Sequence, residues 1–262
     1  MKKQILALSI LLCATSVSAC SLKEVNGTND VAQQSVKPTG NVITENRKIS
    51  SFSKIYAATS IQVEYIPSDG APHAEVTVDE AFKDFLYTEV KGNELKIYFK
   101  TDKKKHNVNI TGKARVKVYG PVATSYDAST SARIVVVKDI ETSGELKLDA
   151  STSGSIVFRG SILAGSLSVE GSTSGTIQAG TVKVLDEADF DLTTSASCQF
   201  ASISAKEIDV DASTSGTLSI SSGSTKKIDV DASTSASINL RGVSCSNVHV
   251  DKNTGASVHT NR

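Results

Sequence analysis

Seven acidic residues, Asp127, Asp149, Glu170, Asp191, Asp211, Asp231 and Asp251, recur at steps of 20 to 22 residues, each followed after one residue by Ser-Thr-Ser or a close variant. Carboxylates repeated in this way can hold a divalent cation, grip a basic partner, or serve as the acid and base of polysaccharide cleavage. In the later repeats Asp189, Asp209 and Asp229, with Glu187 and Glu207, thicken the set. The candidate binding face is therefore Asp189, Asp191, Asp209, Asp211, Asp229, Asp231 and Asp251. Ca²⁺ is the cation such a face could take, yet Ca²⁺ wants six to eight oxygens. The Gly-Gly-x-Gly-x-Asp calcium repeat is also absent, so no resident cofactor is expected.

Other reactive residues are dispersed. His73, His106, His249 and His259 are scattered, and none lies near a Gly-x-Ser-x-Gly elbow. His249 shares a column with Asp229 and lies two residues from Asp251, so an ion pair is expected there rather than proton transfer. The Asn-Thr-Asp and Gly-His-Gly patterns of coil-shaped polysaccharide enzymes do not occur. No catalytic residue is assigned, and the alternative is a pectinase-like hydrolase or lyase working through the acidic face.

A repeat of about 20 residues needs a stacked coil to place its members. Aligned on the acid, the chain shows apolar columns. One residue before it stand Tyr126, Leu148, Val169, Phe190, Val210, Val230 and Val250; seven after it come Ile134, Ile156, Ile177, Cys198, Leu218, Ile238 and Val258. A third column, nine after the acid, runs from Val136 through Phe158, Ala179, Phe200, Ile220 and Leu240 to Thr260. Columns two residues apart are a strand signature, and only inward positions need stay apolar. The expected fold is an all-β, single-stranded parallel β-solenoid of about seven coils over 121–262, its corners at Ser-Gly or Gly-Ser.

No coil can bury enough apolar surface to order itself, so pairing between coils and a cap must stabilise the stack. The alternating segments of 42–120, with a hairpin turn at Gly92-Asn93 and one or two helical turns near Glu80–Leu86, form the expected cap and the first part of the solenoid. Lys103-Lys104-Lys105-His106 reads as a solvated loop, and the last coil carries Lys252, His259 and Arg262 at its edge, charge that discourages end-to-end stacking. Thr130, Thr152, Thr173, Thr194, Thr214, Thr234 and Thr254 would stack as a hydroxyl ladder, with each acid accepting turn N–H bonds and sharing Lys206 and Lys226. Acids stacked about 4.8 Å apart repel by about 1 kcal/mol per neighbouring pair even in water.

The chain opens Met1-Lys2-Lys3, continues with an apolar run from Ile5, and reaches Val17-Ser18-Ala19-Cys20, a secretory leader ending in a lipobox-like sequence. Residues 1–19 are thus expected to be cleaved, Cys20 to carry lipid, and 20–41 to be a polar tether. The partner expected through Cys20 is a membrane, the outer membrane of a cell envelope, on its periplasmic or its outer side. Of 28 basic residues Lys2 and Lys3 leave with the leader, so 26 face 28 acids, and no basic field for nucleic acid exists. Cys198 and Cys245 fall two coils apart in different columns, which predicts two buried thiols and no bridge.

The leader, the opening Arg47-Lys48-Ile49-Ser50-Ser51-Phe52-Ser53-Lys54-Ile55, the segment Ser60-Ile61-Gln62-Val63-Glu64-Tyr65 and the repeated Ser-rich phrases together resemble one family over about residues 45 to 260. It is the putative auto-transporter adhesin, head GIN domain family, common in Bacteroidota. The chain departs from it in writing Ser-Thr-Ser-Gly-Ser where the family often has Ser-Gly-Ala-Ser. The resemblance implies a right-handed β-solenoid (a β-helix) in an exported or surface protein, with no catalytic residues to carry over. A flat, repetitive surface suits an extended ligand, so a glycan or a cell-envelope protein is the expected partner, with a periplasmic scaffold as a further alternative.

Overall fold

A computed structural model describes residues 34–100, 106–108 and 114–261. The expected leader, the lipid site Cys20, most of the tether and Lys103-Lys104-Lys105 lie outside the described residues. Among the described residues, the compact unit Gln33–Arg262 is all-β apart from one turn of 3-10 helix, Glu80–Phe82, capped by Asp79.

From residue 125 onward each strand pairs in parallel with its counterpart one coil away, and equivalent residues stand in unbroken files. The file ahead of the acids runs Ile55, Tyr126, Leu148, Val169, Phe190, Val210, Val230 and Val250. On the second side Val116, Val63, Ile134, Ile156, Ile177, Cys198, Leu218, Ile238 and Val258 form another. A third side stacks Ile140, Ile162, Val182 and Ile203. All these side chains are buried except Val250 and Val258 in the last coil, which are half-buried. The β-branched and aromatic residues that favour a pleated strand are those the alternating pattern turns inward. This is the expected parallel β-solenoid.

Aromatic rings fill the wider part of the core. Phe52, Tyr65, Tyr126 and Phe158 touch in sequence, with ring centroids 6.1, 5.8 and 5.3 Å apart, and Phe190 meets Phe200 edge-on at 5.4 Å. The Tyr65 hydroxyl donates to the Pro121 carbonyl, whereas the buried Tyr126 hydroxyl has no partner among the described residues.

The cap is built by a change of strand direction. Arg115–Gly120 lies parallel to Gln62–Pro67, then His73–Asp79 joins it antiparallel, and Val42–Lys48 adds a second antiparallel strand. On the neighbouring side Glu94–Phe99 is parallel to Lys54–Ala57 and antiparallel to Leu86–Lys91, across the expected two-residue turn at Gly92-Asn93, where Gly92 has φ 65°. At the other end Val243–Lys252 and Ser257–Thr260 pair on one side only among the described residues.

The corners differ from expectation. They sit not at Ser-Gly or Gly-Ser but at Thr-Ser, with φ between 46° and 66° at both residues in six successive repeats, at Thr254-Gly255 in the last, and at Thr59-Ser60 in the cap. Two positive φ values in succession, closed by a bond such as Gly216 N–H to Ser213 C=O at 2.9 Å, define a type I′ turn. A β-branched residue pays for this conformation, about 1–2 kcal/mol per residue. What holds it is a backbone ladder: the N–H of Ser131, Ser153, Ser174, Ser195, Ser215 and Ser235 donates to the Thr carbonyl of the following coil at 2.9–3.1 Å. The Thr column thus stacks through its carbonyls, and the hydroxyls point to solvent. The following Gly or Ala is buried in the six Thr-Ser repeats and half-buried at Ala256, and at Gly175 a Cβ would come within 1.8 Å of the Ala150 carbonyl oxygen.

Cys198 and Cys245 are both free. Cys198 is buried as expected, which pushes its thiol up to about 12, but Cys245 is only half-buried because its column lies near the unpaired last coil.

If the Thr-Ser corners are strained, replacing one pair by the residues that type I′ turns favour stabilises the fold. T214N/S215G is expected to gain about 1 kcal/mol or more and to raise Tm by about 2–4 °C. A thermal melt showing no gain would mean that the coil-to-coil ladder leaves no strain to relieve.

Candidate functional site

On the side that leads into each corner, alternate residues point outward and the parallel register sets them side by side. Glu187 and Glu207 stand beside Lys227; Asp189, Asp209 and Asp229 line up with His249; and Asp191, Asp211, Asp231 and Asp251 form the next row. The result is a grid of nine carboxylates around one lysine, with neighbours within a row one strand spacing apart, about 4.8 Å, and successive rows about 6.6 Å apart along the strand. All seven expected face residues lie in it. Along its margin an open groove is lined by Asp191, Asp211, Asp231 and Asp251 together with Ser213, Ser233 and Asn253.

The acidic file continues toward the cap through Glu170, Asp149 and Asp127, where it meets Tyr56 and then Lys96. Burial raises the Asp127 carboxyl to about 7, with the negative charges of Asp149 and Glu94 adding to it and Lys96 opposing. Burial also raises Asp149. For Asp189, Asp209 and Asp211 burial comes first and neighbouring carboxylates second. Burial is therefore the largest single contribution at each of them.

Compensation for that charge comes from other residues than the spacing suggested. The turn N–H groups bond backbone carbonyls rather than the acids, because the coil-to-coil ladder already uses them. Lys206 pairs with Asp186 at 3.3 Å, outside the acidic rows. Lys227 is the cation inside the grid; it bonds Glu207 and stands 3.6 Å from Asp229. The register explains why: Lys227 occupies the Glu187–Glu207 row, whereas Lys226, exposed, stands one residue before the stretch paired with Glu207–Ala212. His249 takes its place beside Asp229 but makes no ion pair among the described residues. Among the described residues no group of three or more His, Cys, Asp or Glu is placed to hold a metal ion.

The other side of the coil, beyond each corner, carries two rows that reading the acids alone had missed. Thr176, Ser197, Thr217, Ser237 and Ser257 form one, and Gln178, Gln199, Ser219, Asn239 and His259 the next. Both rows were visible as the polar residues between the apolar columns. The Gln178 amide reaches the Gln199 carbonyl at 3.5 Å.

Outward files held at fixed spacing on paired strands make this a repetitive, surface-presenting parallel β-solenoid. The profile described as "Putative auto-transporter adhesin, head GIN domain" matches residues 51–186 and 180–262, and the chain belongs to that family. A crystal structure of a "putative adhesin" from Parabacteroides distasonis superposes with TM-score 0.68 at 20% identity, over 87% of this chain and 100% of that one. A "putative lipid binding protein" from the same organism gives TM-score 0.60 at 22% identity, covering 87% and 99%. A "putative adhesin" from Parabacteroides merdae gives 0.60 at 16%, also covering 87% and 99%. These likenesses establish the shared fold. A search of curated proteins gives no match.

The raised carboxyls set a pH dependence. A carboxyl whose folded-state value lies above its unfolded one binds its proton more tightly in the native state, so stability is greatest at low pH and is lost as pH rises through the folded value. For Asp127 that window runs from about 4 to about 7. Tm is expected to be higher at about pH 5 than at about pH 8, and Asp127→Asn to flatten the decline. Thermal melts of both proteins across that range check it; an equal decline in the variant would refute the assignment to Asp127.

Proposed function

We propose that this protein is a non-catalytic binding module of the cell envelope, held to the outer membrane by lipid on Cys20 and presenting the acidic grid to a glycan or an envelope protein. The observation that carries the reading is the in-register array Asp189, Asp191, Asp209, Asp211, Asp229, Asp231 and Asp251 on a flat face. Carboxylates at fixed spacing accept hydrogen bonds from successive sugar hydroxyls or from the amines of a basic protein segment, and charge-assisted bonds of this kind are about twice as strong as neutral ones. A repetitive face repeats the contact with each coil, so an extended ligand gains affinity with length. The lipobox-like Val17-Ser18-Ala19-Cys20 and the adhesin description of the family support an envelope location. The polar stretch after Cys20 would serve as the tether that lets the solenoid stand away from the bilayer.

One observation favours a second reading. Asp127, raised to about 7, stands in register beside Asp149, and paired carboxylates of unequal acidity are what glycoside hydrolysis uses. Release of reducing ends from polysaccharides, lost in Asp127→Asn, would support that reading over simple binding.

Two measurements test the main proposal. Cys20→Ala is expected to abolish incorporation of labelled palmitate and to move the protein from the membrane to the soluble fraction. On a glycan array and against envelope extracts, D191N/D211N/D231N is expected to lose about tenfold or more in apparent affinity. Unchanged binding by that variant would remove the acidic grid from the function.

A further inference from the structure

The side that carries the hydroxyl and amide rows changes character near the cap. There the row Arg115, Gln62, Arg133 crosses three adjacent strands, with Lys117 and Glu64 in the row two residues on. Together with Arg159 these residues line one concavity. Val135 lies between the charges as a half-buried apolar floor. The four cations are exposed, and none makes an ion pair among the described residues. Arg133 has one weak contact, Nη1 to the Ser155 hydroxyl at 3.4 Å. In a chain whose formal charge is zero, four unpaired cations around Glu64, with Glu75 beside Lys117 on the next strand, are a local surplus.

We propose that this groove binds an acidic polysaccharide, a polymer of uronic acid sugars. The backbone positions of Arg115 and Arg133 stand two strand spacings apart, about 9.6 Å. That separation suits carboxylates on alternate sugars of an extended chain, and each guanidinium fork matches a carboxylate bidentately. Lys117 and Arg159 add charge at the margins. Gln62 and Glu64 supply what a plain anion site lacks, acceptors for sugar hydroxyls, and Glu64 disfavours ligands that offer only negative charge. No aromatic ring lines the concavity, so a nucleic acid would find no platform for its bases. The hydroxyl and amide rows continue the surface away from the cap, giving neutral parts of a long glycan a track of partners. This site is separate from the acidic grid and does not depend on it.

The test uses the full-length protein in detergent and polygalacturonate as the probe, with fully methyl-esterified pectin and poly-glutamate as controls. Binding to polygalacturonate is expected, weakening as salt is raised. R115Q/R133Q is expected to lower affinity roughly ten- to thirtyfold. Equal binding by R115Q/R133Q with its melting curve intact overturns the proposal, as does poly-glutamate binding as tightly as polygalacturonate, or no binding to polygalacturonate at all. Those results would leave the acidic grid and its ligands untouched. If R115Q/R133Q fails to fold, R115K/R133K replaces it: retained charge without the fork is expected to cost about fivefold, and no loss overturns the carboxylate assignment.

Discussion

Parallel hydrogen bonding from each coil to the next is the interaction on which the molecule depends. It orders strands that could not bury enough surface alone, keeps the apolar files in line, and holds every corner in a backbone conformation that Thr and Ser avoid. The corner bonds from Ser N–H to the Thr carbonyl of the following coil are the clearest case. They satisfy groups that a tight turn would otherwise leave to water, and through them strain at one corner is shared with its neighbours. The same register fixes the functional surface: wherever inward residues match from coil to coil, outward ones must as well.

Charge follows from that constraint. The acids stand together because their columns stand together, and the fold bears the cost mainly as lost hydration, seen in the raised carboxyls of Asp127, Asp149, Asp189, Asp209 and Asp211. One lysine inside the grid offsets little of it. The acidic grid on one side and the unpaired arginines near the cap on the other give the two sides opposite local charge.

Most of the fold was legible in the sequence because a solenoid writes its register as a period. The columns headed by Tyr126 and Ile134 mark inward positions directly, and they are buried as expected except at Val250 and Val258, where the next coil is lacking among the described residues. The corners were misplaced because Gly is the usual bearer of positive φ; here Gly and Ala instead mark where one backbone presses on another, as at Gly175. The acidic rows could be read from spacing, but their compensation could not. Lys227 enters the grid because it begins the paired stretch, whereas Lys206 and Lys226 share the position just before it. The arginine groove escaped notice because Arg115 and Arg133 come from strands that are neighbours only across the cap, with Gln62 between them.

The cap closes one end by turning strands antiparallel, whereas every later junction is a parallel match between nearly interchangeable windings. Length is therefore decoupled from architecture. Excising or duplicating one whole winding between Asp191 and Asp231 leaves each seam with a compatible mate, so gene-level slippage by a full period alters the reach and valency of the surface while its lattice stays the same.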